Sequence, residues 1–193
     1  MVQKKQIMSS RDYILSKIRN TPRDKRPLPE IPDFKVDGEL MDRFKRSLLM
    51  NKGEIVDAKQ LEEFIDSHQF KKVLSLSEEF RSFSNLDIPD DAHQLADMDV
   101  AIISGQFGVA ENAAIWLEER DMGLRALPFI TEHLVIVLEK DQLVSNMHEA
   151  YERIGKGASG FGLFIAGPSK TADIEQSLVI GAHGAKSLRV VLV

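Results

Sequence analysis

Cysteine is absent from all 193 residues of this chain. That excludes disulfides, thiol nucleophiles, zinc–cysteine sites and conventional iron–sulfur ligation within it, so any redox cluster belongs to a partner. Long apolar runs are missing too. No window approaches the ~18 consecutive apolar residues of a membrane span. Met1 to Ser10 carries two lysines but no apolar core of a signal peptide. The expectation is a soluble, cytoplasmic protein with no membrane segment. Histidine is sparse, with five residues and no pair at an H-x-x-x-H spacing. With no carboxylate-rich cluster either, neither a metal site nor a cofactor is expected.

What is present is enough apolar content to bury a core: 43% of residues are hydrophobic and 28% charged. The length fits one domain with roughly forty residues left for an arm. Charge is uneven. Residues 1–50 hold twelve Lys or Arg against seven Asp or Glu, whereas the whole chain carries −5, which leaves −10 on residues 51–193. Nucleic-acid binding calls for a basic face on the folded body, and this body is acidic, so no nucleic-acid partner is expected.

Tyr13, Ile14 and Ile18 share a helical face within Asp12 to Arg19, with Ser9 or Ser10 as the cap. Pro22, Pro27, Pro29 and Pro32 then make residues 20 to 37 an extended linker. Leu40, Phe44, Leu48 and Leu49 predict a second helix, and Leu61, Phe64 and Ile65 a third over Ala58 to Ser67. Strands are expected at 54–57, 72–76, 100–104, 133–138, 162–166 and 188–193, with helices at Asp141 to Ile154 and Thr171 to Ile180. Apolar strands alternating with amphipathic helices make an α/β fold with a mainly parallel sheet covered on both faces. The organisation is an N-terminal helical arm and Pro-rich linker over 1–50 and an α/β domain over 51–193. Residues 111–119 are ambiguous, because their composition favours helix yet Gly123 and Pro128 follow closely.

In parallel sheets ligands lie beyond the carboxyl ends of strands, which singles out the loops after Ser104 and after Ala166. The first supplies Gly105, Gln106, Gly108 and the carboxylate of Glu111, a base or nucleophile if burial raised its pKa. The second supplies Gly167, Ser169, Lys170, Thr171 and Asp173 at an expected helix start, whose free amides attract an anion. The alternative there is a well-capped helix with no ligand. His133, beside Glu132, and His183, after the expected helix, are further candidates, though structural roles suit both. Two familiar motifs are excluded. Gly155-Lys-Gly157-Ala-Ser-Gly160 follows a helix rather than a strand, and Gly167-Pro-Ser-Lys-Thr171 lacks the glycine before lysine of a phosphate loop.

Two blocks carry a resemblance: Gln106-Phe-Gly-Val-Ala-Glu111, and Gly167-Pro-Ser-Lys-Thr-Ala-Asp-Ile-Glu175 with Gly181-Ala-His-Gly184 and Leu188 to Val193. With them the chain, from about Gly53 onward, resembles the lactate-utilisation (LUD) domain family. The family pattern after the Glu111 position is Thr-Gly-Thr, replaced here by Asn112-Ala113-Ala114, so two hydroxyls and a glycine are missing. The resemblance implies a strand at Ala114 to Leu117. It implies a three-layer α/β/α architecture of the NagB/RpiA/CoA transferase-like kind. In role it implies a part in oxidising L-lactate to pyruvate beside iron–sulfur partner subunits, with no electron carriage in this chain. Ala110-Glu-Asn-Ala113 is similar to the nucleophilic glutamate setting of some coenzyme A transferases. That likeness implies the alternative, an independent acyl-transfer or carboxylate enzyme using Glu111.

Overall fold

The computed structural model describes residues 9–22, 27, 29–30, 32, 34, 38–155, 160–172 and 178–193. The chain forms two units, Met1–Asp33 and Phe34–Val193. In the first, helix α1 (Ser10–Asn20) is capped by Ser9, whose hydroxyl accepts the Asp12 amide at 3.1 Å. This is the expected helix, with the expected cap.

The second unit begins with α2 (Leu40–Met50), β1 (Glu54–Val56), α3 (Ala58–His68) and β2 (Val73–Ser75). It continues through β3 (Val100–Ser104), β4 (Phe107–Val109), β5 (Ile115–Glu118), and the short helices α4 (Glu119–Met122) and α5 (Leu127–Ile130). β6 (His133–Leu138), β7 (Leu143–Val144), α6 (Met147–Ile154), β8 (Gly162–Ile165), β9 (Lys170–Ala172), β10 (Leu178–Ile180) and β11 (Ser187–Leu192) complete it.

Five strands form the central sheet in the order β1-β11-β6-β3-β2, and every pairing is parallel. Its side chains sort by strict alternation. Leu74, Ala101, Ile103, Leu134, Ile136, Leu188 and Val190 face one way, against Phe44 and Leu48 of α2 and Ile115 and Leu117 of β5. Val73, Val100, Ile102, Val135, Val137 and Val191 face the other way, against Leu61 of α3 and Phe80. Each such Val, Leu or Ile side chain gains about 1.5–3 kcal/mol on burial, so a register slip of one residue in β3 or β6 would be prohibitive. The fold class is therefore α/β around a mainly parallel sheet, as expected.

A second sheet, in the order β7-β4-β5-β8, lies over the first face, and its outer side packs against α6 through Phe107, Val109, Ala114 and Ala150. Here the structure adds to the sequence reading. The strand expected over Ala114 to Leu117 is β5, while β4 falls in the expected loop after Ser104 and β7 within the helix expected over Asp141 to Ile154. The helix expected from Asp141 begins only at Met147, where Asn146 caps it by accepting the Glu149 amide at 3.0 Å.

A larger correction concerns Thr171 to Ile180, expected as a helix. Lys170–Ala172 and Leu178–Ile180 instead pair as antiparallel strands β9 and β10, in the register Thr171 to Val179. Residues 173–177 lie outside the described residues. Among the described residues, no helix is long and apolar enough to cross a membrane.

Candidate functional site

The loop after β3 is dictated first by packing. A Cβ on Gly105 would stand 2.6 Å from Ile115 Cγ2, and one on Gly108 would stand 2.8 Å from Phe44 Cε2 and 2.9 Å from Leu143 Cδ2. Both glycines let the second sheet and α2 close onto the first. Gln106, half-buried, donates Nε2 to both carboxylate oxygens of Asp121 at 2.9 Å, and its Oε1 accepts Arg120 Nη2 at 3.3 Å. Its amide is spent on holding two side chains of α4.

Glu111 is exposed, and its Oε2 accepts the amide of Met147, the first residue of α6, at 3.0 Å. The carboxylate thus satisfies one of the free N–H groups of that helix and meets the positive end of its dipole. Ala113, two residues on, has φ +55° and is fully buried. The turn demands a left-handed residue at this position, and here alanine adopts it at a cost of ~1–2 kcal/mol.

The turn after β8 also rests on a glycine. Gly167 has φ +88°, and a Cβ there would fall 2.4 Å from the carbonyl oxygen of Asn51. Ser169 donates its amide to Ala185 O at 2.8 Å and accepts Gly181 N–H at 2.9 Å, which fixes the turn against the segment leading into β11. Lys170 Nζ then donates to Asn51 Oδ1 at 3.2 Å, and Asn51 Nδ2 donates to Asn112 O at 2.7 Å. One turn earlier on α2, the Ser47 hydroxyl lies 3.0 Å from Ala110 O and 3.1 Å from Glu111 O. The two loops singled out by sequence therefore converge on the carboxyl end of α2, joined through Asn51.

Asn51 belongs to none of the motifs singled out in the sequence. An amide just past an amphipathic helix was the available signal, but nothing local reveals the loops it joins. Because Lys170 and Thr171 open a strand, the amide-rich helix start expected there does not exist. Asp173 lies outside the described residues.

Beside this junction is a cavity of about 270 Å³ lined by Gly167, Ser169, His183, Phe129 and Leu134. Leu134 is the second residue of β6 and Ala185, also on its wall, precedes β11, so the cavity sits at the amino ends of those strands. The loop after Ala166 reaches it because β8 belongs to the second sheet. The Ser169 hydroxyl and the exposed His183 ring make no hydrogen bond to another described residue, and both are free to meet a ligand. Glu111 does not line it.

His133 is not brought to this cavity. It faces α3, with its ring 5.4 Å from Phe64 and 5.3 Å from Phe70 between centroids, and its Nδ1 lies 2.8 Å from Ser187 Oγ. Burial lowers its pKa below the ordinary value, and the nearby Arg189 lowers it further, while Glu132 opposes. The Arg189 guanidinium stacks 3.6 Å above Phe64 and donates to the same Ser187 hydroxyl at 2.7 Å. Among the described residues, no group of three or more potential metal ligands assembles.

Comparison with known proteins places this architecture. Residues 33–193 match the LUD domain family model. A lactate utilization protein C from Deinococcus radiodurans is 33% identical over 111 residues, covering 55% of this chain and 52% of that protein. Another from Bacillus pumilus is 33% identical over 90 residues, covering 44% and 38%. One from Geobacillus thermodenitrificans is 31% identical over 109 residues, covering 53% and 45%. The matched stretch thus spans about half or less of the length of these relatives. The crystal structure of a DUF162 family protein from Deinococcus radiodurans superposes with a TM-score of 0.59 at 18% identity, over 79% of this chain and 95% of that one. The likeness in structure concerns the fold, whereas the family match covers most of the sequence, and on that match the chain belongs to the LUD domain family.

Proposed function

We propose that this chain is a non-electron-carrying component of an iron–sulfur system that oxidises L-lactate to pyruvate, and that it holds a small anionic ligand at the Gly167–Lys170 turn. The observation that carries this reading is the junction at Asn51. Through it Lys170 and the Asn112 loop are tied together beside a cavity whose Ser169 hydroxyl and His183 ring are unspent. About 270 Å³ is ample for a three-carbon hydroxy acid, for which one hydroxyl and one imidazole offer complementary hydrogen bonds.

The relatives named lactate utilization protein C supply the substrate class. The absence of cysteine supports a binding or positioning role rather than electron transfer. The position of Glu111, exposed and bonded to the amide of Met147, favours this over an acyl-transfer enzyme with Glu111 as nucleophile. The basic arm in residues 1–50 is the natural contact for an iron–sulfur partner.

The test is affinity purification of the tagged chain from its host grown on L-lactate, with and without the first 33 residues. The reading expects an iron–sulfur protein to co-purify with the full chain, detected by its iron, sulfide and visible absorption. Purification of the chain free of iron–sulfur protein, even after cross-linking, would contradict it.

A further inference from the structure

A second cavity, of about 650 Å³, lies at the carboxyl end of β2 and shares no residue with the first. Its position is one that a parallel sheet favours for ligands. Beyond Leu76 the chain passes through a short 3-10 turn at Arg81–Phe83 and returns along the free edge of β2. Asn85 donates its amide to Val73 O at 3.0 Å and accepts the Val73 amide on Oδ1 at 2.9 Å, and Ser84 Oγ accepts the Ser75 amide at 3.1 Å. These bonds satisfy an edge strand that would otherwise be open, and they fix the loop as a wall. Gly123 of the opposite wall has φ +62°, and a Cβ there would lie 3.2 Å from Leu76 Cδ1, so the two walls meet closely at the base.

Two guanidinium groups line the space between them, Arg81 and Arg120. Arg120 is held in place: its Nη2 lies 2.9 Å from Glu118 Oε2 and 3.3 Å from Gln106 Oε1, and Gln106 is itself clamped by Asp121. Both contacts use one nitrogen, which leaves the Nε–H and the Nη1 hydrogens available. Arg81 makes no ion pair and no side-chain hydrogen bond with another described residue. Asp87 is the acid on the same lining. On a body that carries −10 over residues 51–193, this lining brings two arginines together, with Arg120 offset by Glu118 and with Asp87 as the one acid on the lining itself.

We propose that this cavity binds a phosphate-bearing small molecule, with the phosphate on Arg81 and Arg120 and a hydroxyl or amine of the ligand on Asp87. A phosphate group carries about −1.5 to −2 near neutral pH and presents three acceptor oxygens, which suits two guanidinium forks better than a single carboxylate does. The volume falls within the ~300–1,000 Å³ range of small-molecule sites. Asp87 repels the phosphate from its own end and so sets the ligand's direction. Gln106 acts here as a positioning residue for Arg120.

The experiment is isothermal titration calorimetry of the full chain with ADP and, separately, with inorganic pyrophosphate. Arg81→Ala and Arg81→Lys are the site variants, and Lys59→Ala on the exposed face of α3 is the charge control. The proposal expects saturable binding of at least one probe, about tenfold or more weaker in Arg81→Ala, partly recovered in Arg81→Lys and unchanged in Lys59→Ala. It is overturned if neither probe saturates, if Arg81→Ala binds as the unmutated chain does, or if Lys59→Ala weakens binding equally. Circular dichroism of each variant keeps loss of fold distinct from loss of affinity.

Discussion

Lys170 Nζ and Asn51 Oδ1 stand 3.2 Å apart although the two residues are 119 positions apart in sequence, and Asn51 passes the link on to Asn112 O at 2.7 Å. The asparagine is part-buried in that second bond, while the lysine is exposed. The energetic weight therefore lies on the Asn51 to Asn112 side.

Replacing Asn51 by alanine removes both bonds and leaves a part-buried carbonyl without its donor. A loss of about 1–3 kcal/mol is expected in urea unfolding. Lys170→Met, which deletes only the exposed contact, should cost less than about 0.5 kcal/mol. Equal costs would mean that Asn51 does not join the loops as described.

Ala113 and Ala114 are both buried, yet only Ala113 has a positive φ. Ala→Gly at an ordinary buried site loses a methyl contact and adds unfolded-state entropy, about 1–2 kcal/mol together. At Ala113 the relief of left-handed strain offsets most of this. Ala113→Gly should therefore be at least about 1 kcal/mol less destabilising than Ala114→Gly in chemical denaturation. Equal losses would contradict the backbone assignment at Ala113.

Much of the fold was legible because its signal is local. Val100 to Ser104 and His133 to Leu138 are nearly continuous β-branched and aliphatic runs, and Phe44 and Leu48 sit one helical turn apart. Thr171 to Ile180 misled because serine and threonine before acidic residues imitate a capped helix. The chain pairs β9 with β10 instead. Gly105 and Gly108 looked like places where a backbone approaches a ligand. What approaches them is Ile115 and Phe44, and only tertiary structure could show it. Arg81 and Arg120 went unnoticed because 38 intervening positions hide their common cavity.

His133 gives the second unit a pH dependence of defined sign. Burial first, and then Arg189 with smaller contributions from His68 and Lys186, lower its folded-state pKa below 6.5, while Glu132 pulls the other way. The unfolded chain thus binds a proton at a higher pH than the folded one. Stability is full above the unfolded pKa and falls as pH drops from about 6.5 towards the folded value, below which the loss is constant. Urea midpoints measured between about pH 7.5 and pH 5 should show this decline, and His133→Asn should flatten it. An unchanged slope in the variant would assign the decline to other groups.

Glu111 separates a helix-capping role from a nucleophilic one. Glu111→Gln keeps an acceptor for the Met147 amide and loses only the charge at the helix end, so stability should fall by less than about 1 kcal/mol. Glu111→Ala should cost about 1 kcal/mol more. A host carrying Glu111→Gln should still grow on L-lactate. Loss of that growth with a normally folded protein would favour the nucleophile.

Growth of a host strain that lacks this chain, with L-lactate and then pyruvate as sole carbon source, tests the proposed role most directly. The account predicts that growth on L-lactate is lost, that growth on pyruvate is retained, and that a plasmid copy of the unmutated chain restores the first. Undiminished growth on L-lactate without the chain would contradict it.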